Sequence, residues 1–423
     1  MSKRRAFISQ TLGIAVLGGS VPSFLASAVD AKPLPQLGTT LDPDNVLLVI
    51  QMGGGNDGLN TVVPYSDDNY HRVRPVIGIA QGDVLKIDDR IGLNPVMAPL
   101  DDLFKEGKVA IVQGVGYPNP NRSHFEATQI WETASPENPV SYGWLGRYLD
   151  RVVPALKIGA AKPPDPPQGS DPGEIFAGVT LGDTVPAAMI AQHVDVPAIG
   201  ALNTFGYNSG KDSASKTTAG TLYDGARPGQ SPYLSLIETT ARNAMHGGDV
   251  LRAKIASFQN AVTYPSDPFS AQLKVAAQIV GAGVGTRILF VSIGSFDTHA
   301  GQRAQQDRLL GYLATGLHAF YSDLAAHQLQ DRVLAMTFSE FGRRVAQNAS
   351  NGTDHGTAMP LFIVGGKVRG GVYGDHPSLT DLDNGDLKYA TDFRSVYATV
   401  LERWLGHDPS DVIAGNFGSV AFV

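Results

Sequence analysis

The sequence predicts an α/β protein, with helices layered around a mainly parallel β-sheet and a loop-rich insertion or cap. Three observations predict it. Short, continuous apolar runs recur along the chain, the pattern of strands buried on both faces. Amphipathic helical segments lie between or after them, as an α/β layering requires. Glycine and proline are plentiful, 48 and 27 of 423 residues, and with serine and threonine they crowd the middle of the chain.

Taken in order, residues 1–28 read as an address label rather than as part of the fold. Arg4 and Arg5 are followed by Phe7 and Ile8, then by a short apolar run from Leu12 to Leu25 that ends in Ala26-Ser27-Ala28. The arginine pair with Phe7 resembles a twin-arginine export signal, and the small residues suit a signal peptidase. No later segment carries an apolar run long enough to span a bilayer. The expectation is a periplasmic or secreted protein with no stable membrane span after cleavage, handled by the twin-arginine export machinery.

A first part of the core is expected over 40–154, an insertion or cap over 155–270, and a second part of the core over 271–423. The first strand is Asn45–Met52, stopped by Gly53-Gly54-Gly55. Val109–Gly116, Arg287–Phe296, Arg332–Phe341 and Pro360–Gly366 have the same character and are read as buried parallel strands. Within the insertion, Lys162–Gly173 and Asp212–Pro232 are rich in Pro, Gly, Ser and Thr. Gln302–Gln328 sets Leu309, Leu313, Leu317, Phe320, Tyr321 and Leu324 on one helical face. Asp392–Leu405 is a second amphipathic helix with Asp392 as its N-cap.

Composition excludes several function classes. Charged residues make up only 17%, and 33 Lys plus Arg against 40 Asp plus Glu give a net charge of −7. No basic footprint for nucleic acid exists. The absence of cysteine removes disulfides, thiolate metal sites and a cysteine nucleophile together. A metal site here is built from Asp, Glu, His and hydroxyl oxygens.

Polar clusters follow the predicted strands, where α/β sheets gather ligands. They are Gly53–Gly58, Asn121–His124, Asp297-Thr298-His299 and Ser339–Arg343; Thr353–Gly356 lies in the loop before a further strand. Asp57, Asp297, His299, Glu340 and His355 are the expected ligands of one or two divalent ions (zinc, manganese, calcium or iron), with His124 and Asp354 as further candidates. Ser123 is the expected nucleophile, and Arg343 or Arg122 a bidentate fork for an anionic group. Each has a plainer alternative: Ser123 as an ordinary helix N-cap, Asp57 as a turn residue, Asp297 as the stabiliser of a strand-to-helix turn with Thr298 capping the helix.

The blocks MGGGNDGLNTVVP, NRSHFEATQIWE, SFDTHAGQ, TFSEFGRR, TDHGTAMPLFIVGG and TDFRSVYATVLERWL resemble those of an uncharacterised family of exported bacterial proteins, domain of unknown function 1501. That family is similar, more remotely, to the alkaline phosphatase and sulfatase superfamily. The resemblance implies an alkaline phosphatase-like core interrupted by a cap, and a two-metal centre. It places Asp57 as the first-strand Asp, Ser123 as the nucleophile, Asp297 and His299 as the Asp/His pair, Glu340 as the second carboxylate and His355 as the late His. Phe341 departs from it, standing where that superfamily has a metal-binding His. The chain also lacks the Pro and Arg that a formylglycine-type sulfatase needs after its modified residue. The function implied is an exported metal-dependent hydrolase of phosphate or sulfate esters, acting on a small anionic ester. The alternative is a non-catalytic envelope binding or assembly protein that keeps the fold and takes an anionic ligand.

Overall fold

The computed structural model describes residues 45–137, 140–153, 176–200 and 251–423. The export-signal reading of residues 1–28 and most of the predicted 155–270 insertion therefore lie outside the described residues.

The main sheet is built from β1 (Val46–Met52), β2 (Val109–Gly116), β3 (Gly178–Thr180), β4 (Ile288–Ile293), β5 (Val333–Phe338), β6 (Met359–Gly365) and β7 (Gly371–Tyr373), with the two-residue β8 (Thr391–Asp392). Their spatial order is β7-β2-β6-β5-β1-β4-β3, with β8 pairing on β2. Every pairing is parallel except the two that β6 makes, with β2 and β5. The sheet is thus mainly parallel, as its apolar runs predict.

Two differences from the sequence reading concern direction and extent. The run read as Pro360–Gly366 is antiparallel. The chain between Phe338 and Met359 contains no helix, so it returns along the same edge without a crossover, and only an antiparallel strand can follow. Inside the stretch assigned to the insertion, Gly178–Thr180 forms the sheet's edge beside β4. Three residues are too few to show an apolar run.

Alternate residues of β1 enter opposite cores. Leu48 and Ile50 pack with Pro268–Ala282 and Gln302–Ala326, while Leu47 and Val49 pack with Trp144–Val152 and Phe393–Thr399. A strand buried on both faces has this consequence, and the layers are helix, sheet, helix. The helix read as Gln302–Gln328 ends at Ala326, and its N-cap is Gly301 in the left-handed region, not Thr298. Asp392 caps the last long helix as expected, accepting from the Arg394 N–H, and after Thr399 that helix relaxes into a π turn, Val400–Trp404. Among the described residues no helix is long and apolar enough to cross a membrane.

The reversed β6 matters for the site. The carboxyl ends of β1, β2, β4 and β5 share one edge, and because β6 runs the other way its entering loop arrives there too. All five polar clusters therefore meet at one rim of the sheet. Gly54 (φ +115°) and Gly55 (φ +79°) permit the close approach at that rim: a Cβ on Gly54 would strike the backbone of Phe296 and Asp297, and one on Gly55 the ring of Phe341.

Candidate metal centre

Four side chains from three loops converge at this rim. His124 opens the helix His124–Thr133 after β2, Asp297 and His299 follow β4, and His355 precedes β6. The Nε2 of His299 lies 3.1 Å from Asp297 Oδ1, that of His355 lies 3.4 Å from the same oxygen, and that of His124 lies 3.5 Å from Asp297 Oδ2. The ligand atoms of His124, Asp297 and His355 all fall within 4.8 Å of one another. His299 Nε2 and His355 Nε2 are 2.9 Å apart.

Each imidazole is fastened through its other nitrogen. His124 Nδ1 is 2.7 Å from Glu340 Oε1, His299 Nδ1 is 3.1 Å from Asp354 Oδ1, and His355 Nδ1 is 2.9 Å from the carbonyl oxygen of Arg122. A carbonyl or an ionised carboxylate only accepts, so each Nδ1 is placed to donate, and with the proton there a ring turns its Nε2 lone pair inward. Two lone pairs 2.9 Å apart repel unless a proton or a cation lies between them. His124 Nε2 is, moreover, a buried atom with no hydrogen-bond partner. Imidazoles held from behind by acceptors, with unprotonated nitrogens in front, are the arrangement metal-ligating histidines adopt. The donors present fit a divalent ion.

Electrostatics agrees. Burial alone would raise the Asp297 carboxyl, but the hydrogen bond and charge of Arg343, with His299 and His124, bring it below the usual carboxylate range. Asp354 is lowered by hydrogen bonds from Asn348 and His299. His355 is lowered chiefly by burial, with the Arg343 charge adding to it against the hydrogen bond to the Arg122 carbonyl, which favours the neutral ring a metal needs.

Glu340 stands behind the cluster. It is buried, and its Oε1 accepts from the Gly54 N–H at 2.8 Å as well as facing His124. Its role in this geometry is to orient His124.

Three candidates are engaged elsewhere in this geometry. Asp57 is not in the cluster. Its carboxylate is 1% exposed and fully engaged: Oδ1 accepts from the Leu59 N–H at 3.2 Å, and Oδ2 from Arg74 Nη1 and Gln302 Nε2, each at 2.5 Å. Arg343 turns its fork onto the rim itself. Its Nε donates to the Gly55 carbonyl at 2.7 Å and Nη1 to that of Thr353 at 2.8 Å, while Nη2 reaches the Gly54 and Phe296 carbonyls and Asp297. With its donors spent on three loops, Arg343 clamps the rim together. Arg122 pairs through its guanidinium with Asp386, and what it offers the site is its backbone carbonyl.

Ser123 occupies the N-cap position of its helix but makes no side-chain capping bond; instead its N–H donates to Asn121 Oδ1 at 2.8 Å. It is exposed at the entrance, one residue before His124, and Phe125 on its other flank is 81% exposed.

Several contributors gave no sequence signal. Gln302 ties Asp57 to the rim, its Oε1 accepting from Thr298 and Thr353 at 3.1 and 2.6 Å. Asn348 donates to the His299 carbonyl at 2.9 Å and to Asp354 at 3.1 Å. Both are neutral amides outside any charged motif. Phe341 lies against the rings of His124 and His355, with centroids 4.9 and 4.5 Å away, and makes one wall of the site apolar.

Among solved structures, the chain is similar to the lipoteichoic acid synthase LtaP from Listeria monocytogenes, at 10% identity over 92% of this chain and 79% of that one, with a TM-score of 0.34. It is similar to the C-terminal periplasmic domain of EcEptC from Escherichia coli, determined in complex with Zn, at 8% identity over 79% and 77% of the two chains and a TM-score of 0.34. It is also similar to the PsFucS1 sulfatase from Pseudoalteromonas sp., at 11% identity over 95% and 78%, with a TM-score of 0.33. Likeness at this level says nothing of substrate. No curated protein matches the chain. A family model described as "Protein of unknown function (DUF1501)" matches residues 113–420, a span that holds every member of the rim cluster, and the chain belongs to that family.

Proposed function

We propose that the protein is an exported, metal-dependent hydrolase of phosphate or sulfate esters, with Ser123 as nucleophile. The observation that carries the reading is the convergence of three anchored imidazoles on Asp297. The ester class is supported by the resemblance and order of the sequence blocks, and export by Arg4, Arg5 and the apolar run behind them.

The ion would be held by Asp297, His299 and His355, with His124 beside them; when bound it supplies Lewis acidity toward an ester oxygen. The chain's residues do the rest. Glu340, Asp354 and the Arg122 carbonyl keep the three rings in one tautomer and orientation. Arg343 ties together the loops after β1 and β4 and the one before β6, and holds Asp297 ionised. Phe341 keeps water from one side of the site. Ser123 Oγ, free of any capping bond, bonds to phosphorus or sulfur as the bond to the alcohol oxygen breaks. The alcohol leaves with the serine's proton, and water then releases phosphate or sulfate and restores the serine.

One observation favours the second reading, a non-catalytic envelope protein that takes an anionic ligand: the saturation of Arg343 leaves no guanidinium fork at the rim cluster. The test is a panel of aryl phosphates and sulfates offered to the zinc- or manganese-loaded protein and to Ser123→Ala. Turnover that Ser123→Ala abolishes while metal content is kept supports the hydrolase. No turnover on any ester by the loaded protein supports the second reading.

A further inference from the structure

We propose that the centre is mononuclear and takes an imidazole-preferring transition dication of the zinc class, held by His124, Asp297, His299 and His355, with the Arg74 guanidinium standing as the fixed second cation at Asp57. The inference rests on the metal-centre reading above and goes beyond it in the number of ions, their class and one ligand, His124.

The donor atoms decide the number. A second ion needs further donors beside the first, and carboxylates are the usual ones. Here the strand-end Asp57 is 1% exposed and its Oδ2 sits 2.5 Å from Arg74 Nη1. Arg74 is itself locked, with Nε donating to the Val345 carbonyl and Nη2 to that of Arg344, each at 2.8 Å. Glu340 spends Oε1 on His124 and the Gly54 N–H, while Ser339 Oγ lies 3.3 Å from its Oε2. Next to it stands Phe341, which offers no donor. A second ion at Asp57 would have to expel a buried guanidinium, leaving that cation unpaired in the interior, and Asp354 is already bonded to His299 and Asn348.

What remains is the compact set of His124, Asp297 and His355, with His299 Nε2 at 2.9 Å from that of His355. Calcium and magnesium take mainly oxygen ligands, six or more of them, whereas three imidazoles and a carboxylate suit zinc and its neighbours. His124 belongs to the set on two counts: its Nε2 is buried without a hydrogen-bond partner, and it lies within 4.8 Å of the ligand atoms of Asp297 and His355. Through it the ion would fasten the helix that carries Ser123 to the loops after β4 and before β6.

The test uses the full chain, stripped with a chelator, reloaded separately with zinc, manganese and calcium chlorides, desalted and analysed for metal. The expected result is about one zinc per chain and no retained calcium. His124→Ala should lose that zinc, with affinity reduced at least tenfold in titration. Asp57→Asn, compared only if its circular dichroism and melting show a folded protein, should keep one. Two zinc ions per chain, retention of zinc by His124→Ala, a preference for calcium, or no metal at all would each overturn the proposal. Its fate separates from that of the hydrolase: one zinc without turnover leaves it standing, and turnover with two ions overturns it alone.

Discussion

Asp57 and Asp297 each stand a few residues beyond a parallel strand, and the fold puts them to opposite uses. Asp57 is sealed in, with a guanidinium and an amide on one oxygen and a backbone N–H on the other. Asp297 keeps 46% of its side chain exposed and gathers three imidazole nitrogens around it, with Arg343 on one oxygen only. Residue type and position in the fold are alike. The partners decide, and an arginine that neutralises a carboxylate in the interior removes it from chemistry, while a ring of anchored histidines recruits one into it.

Breaking the sealed half should have the largest effect. Arg74→Met leaves the Asp57 charge buried without its partner, and the expected cost is about 3–5 kcal/mol of stability in urea denaturation. The open half should respond the other way. Asp354→Asn replaces the charged acceptor behind His299 with a neutral one and should weaken zinc binding by about 10–100-fold while stability barely moves. A matching stability loss in Asp354→Asn, or none in Arg74→Met, would break the contrast.

A third carboxylate sharpens it. Glu132 is buried like Asp57, but burial raises its carboxyl to about 7; the N–H groups of Ala187 and Ala188 lower it and the Glu340 charge raises it. Here the charge is suppressed rather than paired. The native state thus holds a proton that the unfolded chain has released between the ordinary value of 4.5 and about 7. This group's contribution to stability is therefore lost as pH rises through that window, by about 3 kcal/mol in total. Glu132→Gln should flatten that slope, measured as stability against pH between 4 and 8. A slope unchanged in the variant would show that Glu132 is not its source. The smallest effect is expected at exposed Phe125. Phe125→Ala should change stability by no more than about 0.5 kcal/mol, and calorimetric melting of the variant checks it.

How much of this the sequence made legible follows from the physics of each signal. Strands buried on both faces announce themselves as continuous apolar runs, so Val46–Met52 and Val109–Gly116 were plain, and polar clusters at their ends marked the rim. The direction of Met359–Gly365 was not, because burial alone does not encode polarity of pairing. At the rim, His124, Asp297, His299 and His355 stood out as metal-ligating residue types in polar clusters beyond or between strands, and Glu340 as a carboxylate that is hard to bury without a partner. The fates of Asp57 and Arg343 were hidden, since they depend on groups with no motif. Arg74 lies in a short helical turn's C-cap, and the acceptors of Arg343 are backbone carbonyls up to 289 residues distant in sequence.

The most direct test of the central claim is the zinc-edge X-ray absorption fine structure of the zinc-loaded protein. The account predicts a first shell of nitrogen and oxygen at about 2.0–2.1 Å, with the multiple scattering of three imidazoles. A shell of oxygen alone, or one with the scattering of no more than one imidazole, would contradict it.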